Sequence, residues 1–147
     1  MRRIMSVVAF AAVSLTAPAM AQTLTTGTGD GQMTVRVTGT GAFGSNVSGA
    51  SDASYNPIGA IPAAGTTYES FLYLRTAAVG GTFSGARTNL NTITATTGSS
   101  SSTATSSVFN SGALLFNLTQ SVQNLLDNTN TQTGSLLTQS YTITNTG

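Results

Sequence analysis

The acid–base and metal-ligating side chains of this sequence are four carboxylates, Asp30, Asp52, Glu69 and Asp127; histidine, cysteine and lysine are absent. That removes the commonest general base, the thiol nucleophile, Schiff-base chemistry and the usual zinc ligands. Glycoside hydrolysis would need two carboxyl groups facing each other across a cleft. The four acids fall in separate segments, and no two share a local motif. Glu69, close to Arg75 along an expected strand, reads as a solvated or ion-paired side chain. No catalytic residue is assigned.

The oxygen-rich run Asp127-Asn128-Thr129-Asn130-Thr131-Gln132 raises Ca²⁺ binding, since hard cations take carboxylate and amide oxygens. Thr129 occupies the third position and no bidentate Glu follows, so the EF-hand pattern fails. Asp and Asn serving local turn hydrogen bonds is the favoured reading; Asp30-Gly31 is a turn signal in the same way. The glycine-rich stretches are followed by no lysine, so no phosphate cradle is expected. No metal and no cofactor is assigned. The candidate ligand-binding residues are Tyr55, Tyr68, Phe71 and Tyr73, which could stack on sugars if exposed. On an alternating strand such rings are more often core, and the chain has no Trp. Asn46-Val47-Ser48 and Asn117-Leu118-Thr119 match glycosylation acceptors, read as chance matches in an Asn/Ser/Thr-rich chain.

The elements that must carry these residues begin with an export segment. Arg2 and Arg3 precede an apolar run over residues 4–15, broken only by Ser6 and Ser14. Pro18 follows, and Ala19-Met20-Ala21 places small residues at both positions a signal peptidase reads. Residues 1–21 are therefore expected to be a cleavable signal peptide, cut after Ala21, with Ala19 and Ala21 at the specificity positions and Gln22 the first mature residue. The apolar run is too short for a membrane span, which needs about 20 residues. Ile4-Met5-Ser6 after the arginine pair lacks the twin-arginine continuation, so the general secretory route is expected. Localisation follows as exported: periplasmic, cell-surface or extracellular.

After cleavage three arginines (Arg36, Arg75, Arg87) stand against the four acids, a net charge of −1. Such a chain cannot neutralise a row of phosphates, so nucleic acid is excluded as a partner. Anionic membrane surfaces are disfavoured on the same ground, and no transmembrane segment is expected in the mature chain. Solubility has to come from Thr, Ser, Asn and Gly. The low charge and appreciable hydrophobicity argue against a disordered coil.

Residues 22–32 read as a flexible N-terminal segment and residues 33–147 as one β-domain. Met33-Thr34-Val35-Arg36-Val37 alternates as a half-buried strand. Residues 68–76 read as a second strand, apolar on both faces and so expected to lie centrally, covered on both sides. Residues 90–97 and 103–109 read as a hairpin around a flexible Gly98-to-Ser102 tip. Residues 113–118 are a buried strand or the start of a helix. Val122, Leu125 and Leu126 recur at helical spacing, giving one short helix near residues 121–128. Residues 135–145 are the longest clean alternation. Several short strands with turns between them make this an all-β fold, an antiparallel sandwich or barrel. Thr26-Gly27-Thr28-Gly29 and Thr38-Gly39-Thr40-Gly41 are a near-repeat, too short to define a repeat architecture.

At Ser140-Tyr141-Thr142-Ile143-Thr144-Asn145-Thr146-Gly147 the chain resembles the strand and turn of Ig-like β-sandwich modules in bacterial exported and cell-surface proteins, including those of the PEP-sorting type. The resemblance covers roughly the last third of the chain. It implies an Ig-like antiparallel β-sandwich and a structural or cell-surface role, and transfers no catalytic residue. No PEP signal or LPxTG-like motif is present among these residues. Asn145-Thr146-Gly147 is a turn signal following a strong strand, so residues 33–147 are expected to be a sandwich truncated at its C-terminal end, with the last strand at a sheet edge. The alternative is a frayed tail after a fully paired strand.

The function expected is that of a secreted or cell-surface, non-enzymatic structural or adhesive β-protein, with cell-surface or matrix components or carbohydrate as partners. A carbohydrate-binding module using the four aromatics is the first alternative. A carboxylate-dependent hydrolase fragment is the second.

Overall fold

The computed structural model describes residues 21–44, 54–55, 64–65, 70–77, 81 and 86–147. The first sheet contains β1 (Gln22–Thr25), β2 (Met33–Val37), β3 (Ser54–Tyr55) and β4 (Ala64–Gly65), hydrogen-bonded in that order. β5 (Tyr73–Leu74) and β6 (Thr88–Asn89) form a two-stranded ribbon. The second sheet is a meander of β7 (Thr96–Ser100), β8 (Ala104–Ser111), β9 (Leu114–Leu126) and β10 (Gln132–Asn145), in the order β10-β9-β8-β7. Every strand pair is antiparallel. No α-helix occurs among the described residues; a single 3₁₀ turn spans Leu90–Thr92. No helix there is long and apolar enough to cross a membrane.

Period-two alternation explains the second sheet. On β8, Thr105, Ser107 and Phe109 are buried, and on β9 Phe116, Leu118, Gln120 and Val122 are buried, while Asn117 and Thr119 between them are exposed. Phe109 and Phe116 are cross-strand partners and stack at 4.8 Å, nearly parallel. They join Leu90, Ala95 and Leu118 in one apolar cluster. A second cluster joins the sheets: Leu24, Val35 and Val37 pack on Val122, with Met33, Phe43 and Leu137 around them.

The turns follow local chemistry. Ser111 pairs with Leu114, leaving a two-residue loop in which Gly112 has φ +60°, the backbone a tight hairpin demands. Between β9 and β10, Asp127 Oδ1 accepts from the Thr129 and Thr131 N–H groups and from Thr129 Oγ1. This is the turn role expected for Asp127. These donors hold its carboxyl below the usual range, the Thr129 hydroxyl contributing most.

Several expectations are corrected. The short helix near residues 121–128 is absent: β9 runs unbroken to Leu126, paired with β10 throughout. One or two turns of Ser, Gln and Asn could not repay helix nucleation, whereas a long ladder was on offer. Residues 22–32 are not wholly flexible, since Gln22–Thr25 is a strand with Leu24 completely buried. The strand expected over residues 68–76 is reduced, among the described residues, to Tyr73–Leu74 and an isolated Phe43–Ser70 bridge. It is not covered on both sides, because Leu72 and Tyr73 are 43% and 53% exposed. Residues 90–97 begin as the 3₁₀ turn, and the hairpin tip shrinks to 101–103, with Gly98 and Ser99 inside β7. The export segment, residues 1–20 with Ala19, lies outside the described residues. Ala21 packs near Ala42 and Phe71, and Gln22 opens β1 opposite Val37.

Candidate functional site

The two sheets are joined by polar groups as much as by apolar ones. After β2 the chain turns at Thr38-Gly39-Thr40-Gly41, closed by Gly41 N–H donating to Thr38 O at 3.0 Å. Thr38 Oγ1 accepts from Ala42 N–H at 3.0 Å and lies 3.0 Å from Thr40 Oγ1. The four carbonyls of this turn are then taken, one each, by side chains of the second sheet. Gln120 Nε2 donates to Thr38 O at 2.8 Å, and Ser107 Oγ to Gly39 O at 2.5 Å. Tyr141 Oη donates to Thr40 O at 3.2 Å, and Gln139 Nε2 to Gly41 O at 2.8 Å. Gln139 Nε2 also donates to Gln120 Oε1 at 2.7 Å, tying the clamp together. Gln120 is 1% exposed. Every buried side-chain polar atom among the described residues has a partner, as burial of polar groups requires.

The other end of the β1–β2 hairpin repeats the device on a smaller scale. Gly31 O accepts from Gln132 Nε2 at 3.1 Å and from Ser135 Oγ at 2.8 Å, and Ser135 Oγ lies 2.8 Å from Thr26 Oγ1. The two Thr-Gly-Thr-Gly segments thus lie at opposite ends of the hairpin, the first docking onto β10 and the second onto β8, β9 and β10. Sequence reading missed Ser107, Gln120, Gln139 and Tyr141 as a group. A signal existed: Gln120 and Gln139 are amides on the inward phase of strands whose neighbours in that phase are apolar.

Tyr141 loses hydration in this clamp, and desolvation pushes its hydroxyl up from the ordinary 10.0 to about 12. The proton is held more tightly in the folded chain than in the unfolded one, so its contribution to stability is complete below pH 10. It is lost as pH rises from 10 through 12. The urea midpoint of the wild type is therefore expected to fall across that window by more than the midpoint of Tyr141→Phe, which has no phenol to ionise there. Parallel curves for the two proteins would refute the linkage.

With the inward phase engaged in the clamp, the opposite phase forms the outer face of the second sheet. The register aligns Ala104, Ser121 and Thr138; Ser106, Thr119 and Ser140; and Val108, Asn117 and Thr142 in successive rows across β8, β9 and β10. Asn117, Thr119, Thr138, Ser140 and Thr142 are exposed. Adjacent rows recur along each strand at about 6.8 Å and neighbouring strands at about 4.8 Å. From Thr88 to Gly147 the sole charged side chain is Asp127, in the turn at one end. The outer face is thus an ordered, uncharged field of hydroxyls, methyls and amides.

Among the described residues, Phe71 and Tyr73 are the aromatics of the expected ligand-binding set that meet. Tyr73 is exposed, Tyr55 and Phe71 are half-buried, and Tyr68 lies outside the described residues. Phe71 and Tyr73 meet edge to face at 6.2 Å and 77°, leaving no shared plane for a sugar. Of the acids, Asp30 and Asp127 sit exposed on turns, and Asp52 and Glu69 lie outside the described residues. Asp127, with its carboxyl held low, is poorly matched to a general acid, which needs a raised value. No group of three His, Cys, Asp or Glu that could hold a metal occurs among the described residues.

The described residues define an all-β protein of antiparallel sheets. No protein-family model matches the chain, and neither a curated protein nor a solved structure shows significant similarity to it.

Proposed function

We propose that this chain is an exported, non-enzymatic adhesive or structural protein of a bacterial cell surface or matrix. Its two larger sheets are taken as the layers of an Ig-like antiparallel β-sandwich. The observation that carries this reading is the outer face of β8, β9 and β10, an uncharged array of Ser, Thr and Asn with exposed Val108, Leu125 and Leu136 among them. Such a face suits an uncharged, polyhydroxylated surface such as matrix polysaccharide. Hydroxyls and amides meet hydroxyls there through short-range hydrogen bonds, and threonine methyls add apolar contact. The hydrogen-bonded side chains of the clamp face the other way and hold the sheet in register. The export reading rests on Arg2, Arg3, the apolar run and Ala19-Met20-Ala21.

Adhesion of this kind carries no ion-release term, so its strength should barely change with salt, unlike phosphate or polyanion binding. The test is retention of the purified protein on insoluble polysaccharides and on bacterial cell-wall material, from low salt to molar NaCl. Retention that is flat in salt and lost on Thr119→Lys is the expected result. Steep salt dependence, or turnover of any polysaccharide, would displace the reading. Retention that survives Thr119→Lys but fails with Tyr73→Ala would favour the exposed aromatic as the contact.

A further inference from the structure

β10 is the last strand of its sheet, and its outer edge is matched by no strand among the described residues. It is 14 residues long and pairs with β9 almost from end to end. Exposed edges of this length are normally blunted by a lysine, an inward charge, a proline or a short span, because free N–H and C=O groups recruit other strands. β10 has no charge and no proline; its one irregularity, between Gln132 and Gly134, lies at its start. At the other end Ile143 is 55% exposed on the inward phase, continuing the line of Leu137 and Tyr141.

We infer that the β10 edge pairs antiparallel with β10 of a second copy of this chain, joining two second sheets into one continuous sheet. Three features select a second copy. A twofold-related pair of identical strands is self-complementary by symmetry. An uncharged strand meets no like charge in its twin, and a charged partner strand would gain no attraction from it. The third feature is a symmetric register, with Ser140 opposite its own copy, that sets Ile143 against Leu137, Tyr141 against Gln139 and Thr138 against Thr142. Opposed residues share a face in an antiparallel pair, so the exposed Ile143 gains an apolar neighbour on the inner side. On the outer side the hydroxyl rows run on across the junction. The pairing is independent of the adhesive reading, which concerns a face and not an edge.

The test is sedimentation equilibrium of the whole chain over a wide concentration range, with variants at the symmetry point. The wild type should show a concentration-dependent dimer. Ser140→Glu or Ser140→Lys alone sets like charges opposite each other and should weaken association by up to about fivefold. An equimolar mixture of the two should restore the dimer or tighten it, while Asn128→Glu, at the exposed turn, should change nothing. At dilutions where both are monomeric, circular dichroism and thermal midpoints of the Ser140 variants should match wild type, since the side chain is exposed. A chain that stays monomeric at every concentration overturns the inference, whether its β10 amides exchange freely or are protected by another part of the protein. A dimer indifferent to both Ser140 charges also overturns it.

Discussion

Replacing Gly41 with alanine should cost about 3 kcal/mol of stability, enough to lower the thermal midpoint by roughly 10 °C in a domain of this size. Two penalties coincide at this position. Gly41 has φ +89°, where a Cβ costs about 1–2 kcal/mol. A Cβ there would also stand 1.8 Å from Tyr141 Oη and 2.9 Å from its Cζ. Tyr141 would have to withdraw, giving up its hydrogen bond to Thr40 O, worth about 1 kcal/mol. The diagnostic measurement is a double-mutant cycle with Tyr141→Phe. Removing the hydroxyl removes the nearest obstacle, so Gly41→Ala should cost less in that background. Equal costs in both backgrounds would mean that backbone strain alone is responsible and that the turn does not press on Tyr141. Gly112 gives a useful contrast: its φ is also positive, but nothing lies within 4 Å of its missing Cβ, so only the backbone term applies.

Truncating Gln120 to alanine should cost about 3 kcal/mol, and Gln120→Leu about 2 kcal/mol. The side chain is fully buried between the sheets and makes two hydrogen bonds, to Thr38 O and from Gln139 Nε2. Both partners keep a second bond, Thr38 O from Gly41 N–H and Gln139 Nε2 to Gly41 O. Neither is therefore orphaned, and the loss stays near the ordinary worth of two hydrogen bonds, plus a cavity in the alanine variant. Leucine fills most of that space, so the gap between the two variants, read from urea unfolding, measures the cavity separately. If leucine stabilised the chain, the polar clamp would be serving register and not stability. Such a result would fit a structure in which the amide selects one docking of the β1–β2 hairpin among several apolar ones.

The strands with clean alternation were legible in the sequence. Met33–Val37 and the residues from 135 to 145 lie in strands as their period-two patterns require. The turn at Asp127 was legible as well, because an aspartate satisfying nearby N–H groups is a local event spanning five residues. The near-absence of charge followed from composition alone.

Tertiary structure decided the rest. Residues 121–126 carry a spacing compatible with either a helix or a strand, and the long β10 partner resolved it, since a ladder of bonds outweighs a marginal nucleus. The half-burial of Phe71 comes from its packing against Ala42, a contact that no local pattern encodes. The clamp is the clearest case. Thr-Gly-Thr-Gly reads locally as two pieces of loop, with no reason for its carbonyls to point anywhere in particular. Their partners stand 68 to 101 residues along the chain, at Ser107, Gln120, Gln139 and Tyr141. Sequence determined that these residues alternate into a face; only the packing of one sheet on another could bring that face against four carbonyls in a row. The physical reason is that a buried carbonyl must find a donor once water is gone, and which donor it finds depends on the approach of distant strands.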